Sequence, residues 1–383
     1  MNLLAKTFQG LEETLANELD SIGAWNIKTL RRAVSFDANK EILYKSNLQL
    51  RTALRILQPI SNFKANNEKE LYQNIYDYNW SHLLSANQTF AIDAVTFSDI
   101  FKHSKYVALK TKDAIADHFR DKTGDRPSVD VLSPDLLINV HISKNKVSVS
   151  IDSSGDSLHK RGYRTGNHRA PLNEALAAGM VLLSGWKKDL PLVDLMCGSG
   201  TILMEAAMIA TNMPPNLNRK KFGFERWNNF DSDLWEKIKT EAKEAMVTSN
   251  VKIYGNDIDS KSIDIARQSA LDFGLKQYIN LKIYDFKNYH PEKKNGVMIT
   301  NPPYGERIKP KDIINLYREL GNCLKKSFTG YDAWIISSNM DAIKNIGLKP
   351  SQKITLYNGS LECKFEKFSL YEGSKKSLKN QKI

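Results

Sequence analysis

One stretch decides the fold of this chain: Pro191-Leu192-Val193-Asp194-Leu195-Met196-Cys197-Gly198-Ser199-Gly200-Thr201-Ile202-Leu203-Met204-Glu205-Ala206-Ala207. Its pattern predicts a short apolar strand that ends at Asp194, a Gly-x-Gly turn, and a helix that begins at Thr201. Glycines in such a turn let the backbone approach a ligand closely, because they carry no Cβ. A dinucleotide-binding fingerprint would need a third glycine where Leu203 stands, so that alternative fails.

A second strand is predicted within Val251-Lys252-Ile253-Tyr254-Gly255-Asn256-Asp257-Ile258-Asp259. A carboxylate at the end of such a strand can accept hydrogen bonds from both hydroxyls of a ribose. We assign this role to Asp257, with Ile258 beside it. Asp259 is better placed to cap the helix that follows.

The third strand is predicted within Asn280-Leu281-Lys282-Ile283-Tyr284-Asp285-Phe286, and it also ends in an acid. Asp285 can accept a hydrogen bond from an adenine amino group, and Phe286 can pack near the ring. This pattern therefore predicts a purine-binding edge beside the glycine turn.

A fourth apolar strand, Gly296–Ile299, runs into Thr300-Asn301-Pro302-Pro303-Tyr304-Gly305. The two prolines stop the strand, because each fixes φ and lacks an N–H for the sheet. Amide and carbonyl oxygens in this loop can accept from an exocyclic amino group, and an aromatic ring can stack on the base that bears it. Ligands of parallel sheets bind at the carboxyl ends of strands, so we expect the four strand ends to converge.

The glycine turn resembles the first motif of class I S-adenosylmethionine-dependent methyltransferases. The last loop resembles the Asn-Pro-Pro-Tyr motif of methyltransferases that act on planar amino nitrogens of nucleobases. The resemblance implies a Rossmann-like α/β domain over residues 156–371, with a mostly parallel sheet that ends in an antiparallel hairpin turning at Asn358-Gly359. A helix through Asn173–Leu183, starting near Pro171, is expected to precede the first strand.

The same resemblance implies S-adenosyl-L-methionine as the cofactor and assigns the site residues. The catalytic set is Asn301, Pro302, Pro303 and Tyr304. The cofactor-binding set is Asn173, Asp194, Met196, Cys197, Gly198, Gly200, Thr201, Asp257, Ile258, Asp285, Phe286 and Asn301.

The first 155 residues form a different region, in which helical and strand patterns alternate. Residues 1–60 predict a small α+β module of ferredoxin-like type. Residues 61–155 resemble a THUMP domain, which is an RNA-binding module found upstream of RNA-modifying catalytic domains. Residues 372–383 are rich in lysine, and we expect them to form a disordered tail.

The charge balance favours a polyanionic partner, because the formal net charge is +12 and neutralised phosphates release counterions. We therefore expect RNA as the partner, with candidate contacts at Lys102, Lys105, Lys160, Arg161, Tyr163 and Arg164. A basic and aromatic insert, residues 212–250, has two open interpretations. It contacts RNA or covers the substrate, or its aromatic residues simply pack it onto the methyltransferase domain.

Composition excludes several classes of protein. No apolar run is long enough to span a bilayer, no signal peptide is evident, and three widely spaced cysteines suit neither a disulfide framework nor a zinc site. We expect a cytoplasmic protein without a metal, and the sequence leaves the oligomeric state open.

The chain as a whole resembles THUMP-containing RNA guanine-N2 methyltransferases. This implies methylation of the N2 amine of a guanosine in 23S rRNA or a ribosomal precursor. Adenine N6 methylation, a tRNA guanine-N2 activity and a non-catalytic RNA-binding or assembly role remain as alternatives.

Overall fold

The computed structural model describes residues 1–164, 172–305 and 310–371. Contacts between residues divide the chain into two compact units. Unit 1 contains Met1–Thr7, Ala16–Lys160 and Asn218–Thr240. Unit 2 contains Phe8–Leu15 and the described residues of Arg161–Leu217 and Glu241–Ile383. The predicted domain limits at residues 60 and 155 remain predictions.

The first 160 residues contain eight strands and four α-helices, all among the described residues. The strands are β1 (Asn2–Lys6), β2 (Trp25–Leu30), β3 (Ala33–Asp37), β4 (Arg55–Lys64), β5 (Thr89–Phe97), β6 (Ser128–Val129), β7 (Leu136–Ser143) and β8 (Lys146–Asp152). The helices are α1 (Glu12–Ser21), α2 (Lys40–Gln49), α3 (Glu68–Asp77) and α4 (Ser104–Thr123).

These strands form one sheet in the order β2-β3-β1-β4-β8-β7-β5-β6. Strand β4 joins its two halves, because it pairs antiparallel with β1 at one end and with β8 along its length. The predicted limit at residue 60 lies inside β4. No strand was predicted here, and Pro59 cannot donate a hydrogen bond to a sheet. The structure accommodates Pro59 with a register shift between Pro59 and Ser61.

The second half of the chain alternates strands and helices. Its strands are β9 (Leu192–Asp194), β10 (Ile253–Asp257), β11 (Ile279–Ile283), β12 (Gly296–Thr300), β13 (Tyr331–Ser337), β14 (Gln352–Asn358) and β15 (Leu361–Ser369). Its helices are α5 (Glu174–Leu183), α6 (Thr201–Ala210), α7 (Ser232–Glu244), α8 (Ser260–Asp272), α9 (Pro310–Ser327) and α10 (Met340–Lys344).

These strands form the sheet of unit 2 in the order β11-β10-β9-β12-β13-β15-β14. Pairs among the first five strands in that order are parallel, whereas β15 is antiparallel to both β13 and β14. The predicted Rossmann-like sheet with a C-terminal antiparallel hairpin is confirmed. The ends of β9, β10, β11 and β12 share one edge, and this positions the candidate site.

The helix before β9 begins later than expected. α5 starts at Glu174, and Asn173 is its N-cap, accepting hydrogen bonds from the backbone N–H groups of Ala175 and Leu176. The prediction that the helix runs through Asn173 was wrong, because an N-cap residue has an extended rather than a helical backbone. The expected start near Pro171 and the expected disordered tail at 372–383 lie outside the described residues.

Helix α9 packs against the segment after α10 through a glycine. A Cβ placed on Gly321 would lie 1.9 Å from the backbone oxygen of Ile346. Gly321 is buried in the middle of α9, where alanine would otherwise be the better helix former. Close approach of two backbones therefore outweighs helix propensity at this position.

We expect Gly321→Ala to destabilise the protein by about 1–3 kcal/mol, because backbone atoms cannot yield as a flexible side chain can. Asn322→Ala, at the exposed neighbouring position of the same helix, is the matched control and should be nearly neutral. Denaturant unfolding of both variants measures the difference. A gain in stability for Gly321→Ala would show that propensity, not packing, controls this site.

Candidate active site

The glycine turn between β9 and α6 has the backbone that its sequence requires. Gly198 and Gly200 have φ values of 51° and 80°, in the left-handed region that favours glycine. A Cβ on Gly200 would lie 3.0 Å from the Cβ of Ala266, whereas a Cβ on Gly198 would meet no atom within 4 Å. Gly200 therefore permits the close approach of α8, and the backbone at Gly198 faces open space.

Asp194 lies at the end of β9 and is buried. Its Oδ1 accepts hydrogen bonds from the Thr300 hydroxyl at 2.7 Å and from the Met196 backbone N–H at 3.2 Å. Burial raises the pKa of Asp194 to about 7, and the negative charge of Asp257 acts in the same direction. The carboxyl group thus connects the ends of the adjacent strands β9 and β12.

Asp257 and Asp259 have separate roles at the end of β10. Asp257 accepts from the backbone N–H of Gly198 at 2.8 Å and from that of Asp259 at 3.0 Å. Asp259 caps α8 by accepting from the backbone N–H groups of Lys261 and Ser262, which confirms its predicted role as a helix cap. Ile258 is 74% exposed at the same strand end. An apolar side chain left in water there offers a surface for an apolar ligand face.

Asp285 and Phe286 follow β11. Asp285 accepts from the backbone N–H of Lys287 at 3.0 Å and so caps a single 3₁₀ turn, Phe286–Asn288. The Phe286 ring is buried in the core of unit 2, and the Phe286 carbonyl accepts a weak hydrogen bond from the Cys323 thiol. At this strand end the Asp285 carboxylate is only partly buried, while the aromatic ring is committed to the core.

The loop after β12 is held by its own side chains. The Tyr304 hydroxyl donates to Asn301 Oδ1 at 2.6 Å. Burial raises the pKa of Tyr304 well above its usual value, so the hydroxyl keeps its proton and remains a donor at neutral pH. This contact holds the Asn301 carboxamide in one orientation within the loop.

Two residues outside the motif fix the loop backbone. Asn339 Nδ2 donates to the carbonyl of Tyr304 at 2.9 Å. The Tyr317 hydroxyl lies 3.2 Å from the carbonyl of Pro303 and 2.7 Å from the Ser337 hydroxyl. Neither residue was predicted from the sequence. Asn339 could have been predicted, because it is the N-cap of α10. No local sequence pattern indicates Tyr317, because its hydrogen-bond partners lie in other elements of the fold.

Two of the residues expected to bind RNA are buried in unit 2, so those assignments were wrong. Arg161 and Tyr163 are 0% and 2% exposed. The Tyr163 hydroxyl donates to Glu205 Oε1 at 2.9 Å, and Arg161 Nε lies 3.6 Å from the same oxygen. A buried carboxylate needs hydrogen-bonding or ion-pair partners. Arg161 and Tyr163 are therefore buried because they are the partners of the Glu205 carboxylate on α6.

Arg164 is partly buried and lies beside the glycine turn rather than on an open surface. Its Nε is 3.2 Å from Glu174 Oε1, and its Nη2 donates to the Thr201 hydroxyl at 3.2 Å. Thr201 is the first residue of α6. Arg164 therefore contacts a residue of the predicted cofactor site, Thr201.

The remaining basic candidates lie in unit 1. Lys102, Lys105 and Lys160 are exposed, and Lys160 pairs with Asp156 at 2.9 Å. Two other cations of α4 pair with acids of the same helix, Lys112 with Asp113 and Arg120 with Asp117. Part of the positive charge of α4 is therefore balanced by acids of the same helix.

The aromatic residues of the insert are packed, as the second interpretation of the sequence expected, but they pack within unit 1 and not on the methyltransferase domain. Phe222 and Phe224 are buried, and the Phe224 ring stacks on Tyr44 with centroids 4.4 Å apart. Arg219 donates to the backbone carbonyls of Ser154 and Ser157. These side chains hold the insert in place and are not free to contact RNA.

Within the described residues, no cluster of three or more His, Cys, Asp or Glu side chains is arranged to hold a metal ion. None of the helices in those ranges has the length and apolar character of a membrane span.

Three family models match successive parts of the chain. The RlmL ferredoxin-like domain matches residues 2–57, the THUMP domain matches residues 65–152, and the RMKL-like methyltransferase domain matches residues 161–367. The last match covers more than half of the chain. The chain belongs to the RMKL-like methyltransferases.

Solved structures agree with this family. SMU.472, a proposed methyltransferase complexed with SAH, is 33% identical over 97% of this chain and 99% of its own, with a TM-score of 0.88. A proposed methylase from Clostridium difficile 630 is 37% identical over 98% and 99%, also with a TM-score of 0.88. TrmN from Thermus thermophilus, at 19% identity over 96% and 99% and a TM-score of 0.70, shares the fold.

This RMKL-like methyltransferase binds S-adenosylmethionine, and the described strand ends fit that cofactor. The left-handed turn at Gly198 leaves space for a ligand, and the Asp257 carboxylate stands beside it. Exposed Ile258 adds apolar surface at the same edge. Asp257 and Asp285 would hold the ribose and adenine groups, and the backbone of Met196, Cys197 and Gly198 would approach the methionine part.

We expect Asp257→Ala to weaken S-adenosylmethionine binding by more than about tenfold, because hydrogen bonds to a charged group are among the stronger ones. Asp259→Ala is the matched control. It should keep the cofactor affinity within about twofold and lose about 1 kcal/mol of stability through its helix cap. Calorimetric titration with the cofactor separates the two, and equal loss of affinity in both variants would contradict the assignment.

Asp194 should make the stability of the cofactor-free protein depend on pH. Its pKa is higher in the folded protein, about 7, than its ordinary value of 3.8. The folded state therefore binds this proton more tightly, and stability falls as pH rises from about 4 to 7. Asp194→Asn removes the titration, so its unfolding free energy should fall less steeply over that range. Denaturant unfolding at several pH values tests this, and identical slopes would contradict it.

Proposed function

We propose that this S-adenosylmethionine-dependent methyltransferase, whose family acts on nucleic acid, methylates the exocyclic N2 amine of a guanosine in RNA, with 23S rRNA as the substrate. One observation carries the proposal. The Asn301 carboxamide is oriented by Tyr304 at the end of β12, beside the strand end that opens the cofactor site. It supports a role for the Asn301 and Pro302 oxygens as the two hydrogen-bond acceptors of the amino group.

The amine is a weak nucleophile, because its lone pair is delocalised into the ring. A carboxamide oxygen has two lone pairs, and Tyr304 uses one of those on Asn301. The second can accept one N–H of the amine, while the Pro302 carbonyl accepts the other. Held in this way, the nitrogen becomes more pyramidal and its lone pair points at the methyl group.

S-adenosylmethionine supplies an electrophilic methyl group on a sulfonium, so the nitrogen gains a bond to carbon as the carbon–sulfur bond breaks. The methylated nitrogen is then positively charged and loses a proton to water, so a strong general base is not required. Tyr304 has a second task in this scheme, because its ring can stack on a base turned out of the RNA. Both ends of Tyr304 are held, the carbonyl by Asn339 and the hydroxyl by Asn301.

RNA is favoured as the substrate by the net charge of +12 and by the match to a THUMP domain. Adenine N6 remains the second candidate, because a predicted N6-adenine-specific DNA methylase from Listeria monocytogenes is 29% identical over 96% of both chains, with a TM-score of 0.86. Two oxygen acceptors suit the amino group of either purine. A cytoplasmic location also belongs to the proposal.

We expect Asn301→Ala to lower turnover by about a hundredfold or more, because the acceptor that orients the amine is lost. Cofactor affinity should change little. Asn295→Ala, at the exposed opposite end of β12, is the matched control and should retain activity. The assay measures methyl transfer to bulk rRNA beside calorimetric cofactor binding. Lost cofactor binding with unchanged residual chemistry would exclude a catalytic role for Asn301.

A further inference from the structure

The sheet of unit 1 has one face that packs in the core and one that is open near the ends of four strands. On β8, Val147 and Val149 belong to the core, so Lys146 and Ser148 lie on the other face. In the sheet register, Lys146 pairs with Lys64 of β4 on one side and with Ser143 of β7 on the other. Ser143 in turn pairs with Phe97 of β5. These side chains form a row across β4, β8, β7 and β5.

All four members of this row are exposed, and Phe97 is 65% exposed. Adjacent strands lie about 4.8 Å apart, so the Phe97 position is roughly 10 Å from that of Lys146. The combination is unusual for a plain solvent-facing surface, because a large aromatic ring in water contributes nothing to the core. The row thus presents a flat apolar ring and two cations on one rigid surface.

The next row of the same face supports the ring. It contains His141 and Val95, which face each other in the register of β5 and β7. The His141 and Phe97 ring centroids are 5.8 Å apart. Burial, aided by the nearby Lys6 ammonium, lowers the pKa of His141, so the ring is uncharged at neutral pH. Two uncharged aromatic rings thus adjoin on the open face.

Further positive charge lies at the same end of the sheet. The backbone N–H of Lys144, in the turn between β7 and β8, donates to the Phe97 carbonyl at 2.9 Å. Lys102 is exposed five residues after Phe97. The acids of the β5 stretch are Asp93 and exposed Asp99.

We propose that the row Lys64–Lys146–Ser143–Phe97 binds an unpaired strand of RNA, with a base stacked on Phe97 and the backbone phosphates at the lysines. Aromatic rings on a basic surface bind single strands, because every base has a face that can stack. A duplex hides those faces inside its own stack. The choice of RNA rests on the proposed function, whereas the surface itself is defined by unit 1 alone.

The test uses the full chain and a fluorescein-labelled 12-nucleotide RNA of mixed sequence, alone or annealed to its complement, measured by fluorescence anisotropy. We expect Phe97→Ala to weaken single-strand binding by about tenfold, with a smaller effect on the duplex. Phe97→Tyr keeps a ring and should retain affinity. Leu109→Ala, at a 56% exposed apolar position of α4, is the control and should bind like the wild type.

The lysines are tested by salt dependence. Lys64→Gln combined with Lys146→Gln should reduce the slope of log affinity against log salt by about 1.4, since each phosphate contact on a single strand contributes about 0.7. Lys69→Gln combined with Lys122→Gln removes the same charge from exposed positions on α3 and α4 and should change the slope much less. Equal slopes in the two double variants would overturn the proposal.

Unchanged RNA affinity in Phe97→Ala would also overturn it, and would leave a protein partner as the occupant of this surface. Failure of the surface is distinguishable from failure of the proposed function. If the protein methylates guanosine in RNA and Phe97→Ala does not raise the KM for RNA, only the proposed RNA-binding surface is wrong. If the protein binds RNA through Phe97 but transfers no methyl group, only the proposed function is wrong.

Discussion

The hydrogen bond from the Thr300 hydroxyl to Asp194 Oδ1, 2.7 Å long and buried, is the contact on which the site depends. It joins the end of β9, where the glycine turn begins, to the end of β12, where the loop of residues 301–305 begins. Asp194 is held at the same time by the Met196 backbone. Two loops separated by about a hundred residues are thereby kept in one geometry, which methyl transfer requires because its reacting atoms must be aligned.

The loop of residues 301–305 is also held in one geometry by hydrogen bonds. Two prolines restrict its backbone, and Asn339 and Tyr317 hold the carbonyls of Tyr304 and Pro303. Because the Tyr304 hydroxyl orients Asn301, the residue proposed to stack on the base and the residue proposed to accept from its amine are coupled. A change in the position of either is therefore expected to affect the other.

The sequence predicted the features that depend on local chemistry and missed those that depend on distant partners. Glycines at 198 and 200 and the cap at Asp259 are local signals, and the structure has each of them. The hairpin was expected to turn at Asn358-Gly359, but it turns one residue later, at Gly359 and Ser360, because Asn358 still pairs with Leu361. Arg161 and Tyr163 seemed to be surface residues because their common partner, Glu205, lies some forty residues away. Strand β4 was not predicted, and its pairing with β8 shows that a register shift next to Pro59 keeps this proline within the sheet.

The central claim is that the strand ends of unit 2 present the N2 amine of a guanosine to the methyl group. The most direct measurement compares the methylated nucleosides of 23S rRNA, 16S rRNA and tRNA from a strain with the gene and a strain that lacks it, by mass spectrometry after digestion. The account predicts the loss of one N2-methylguanosine, located in 23S rRNA. Loss of N6-methyladenosine with N2-methylguanosine intact, or no change in any fraction, would contradict it.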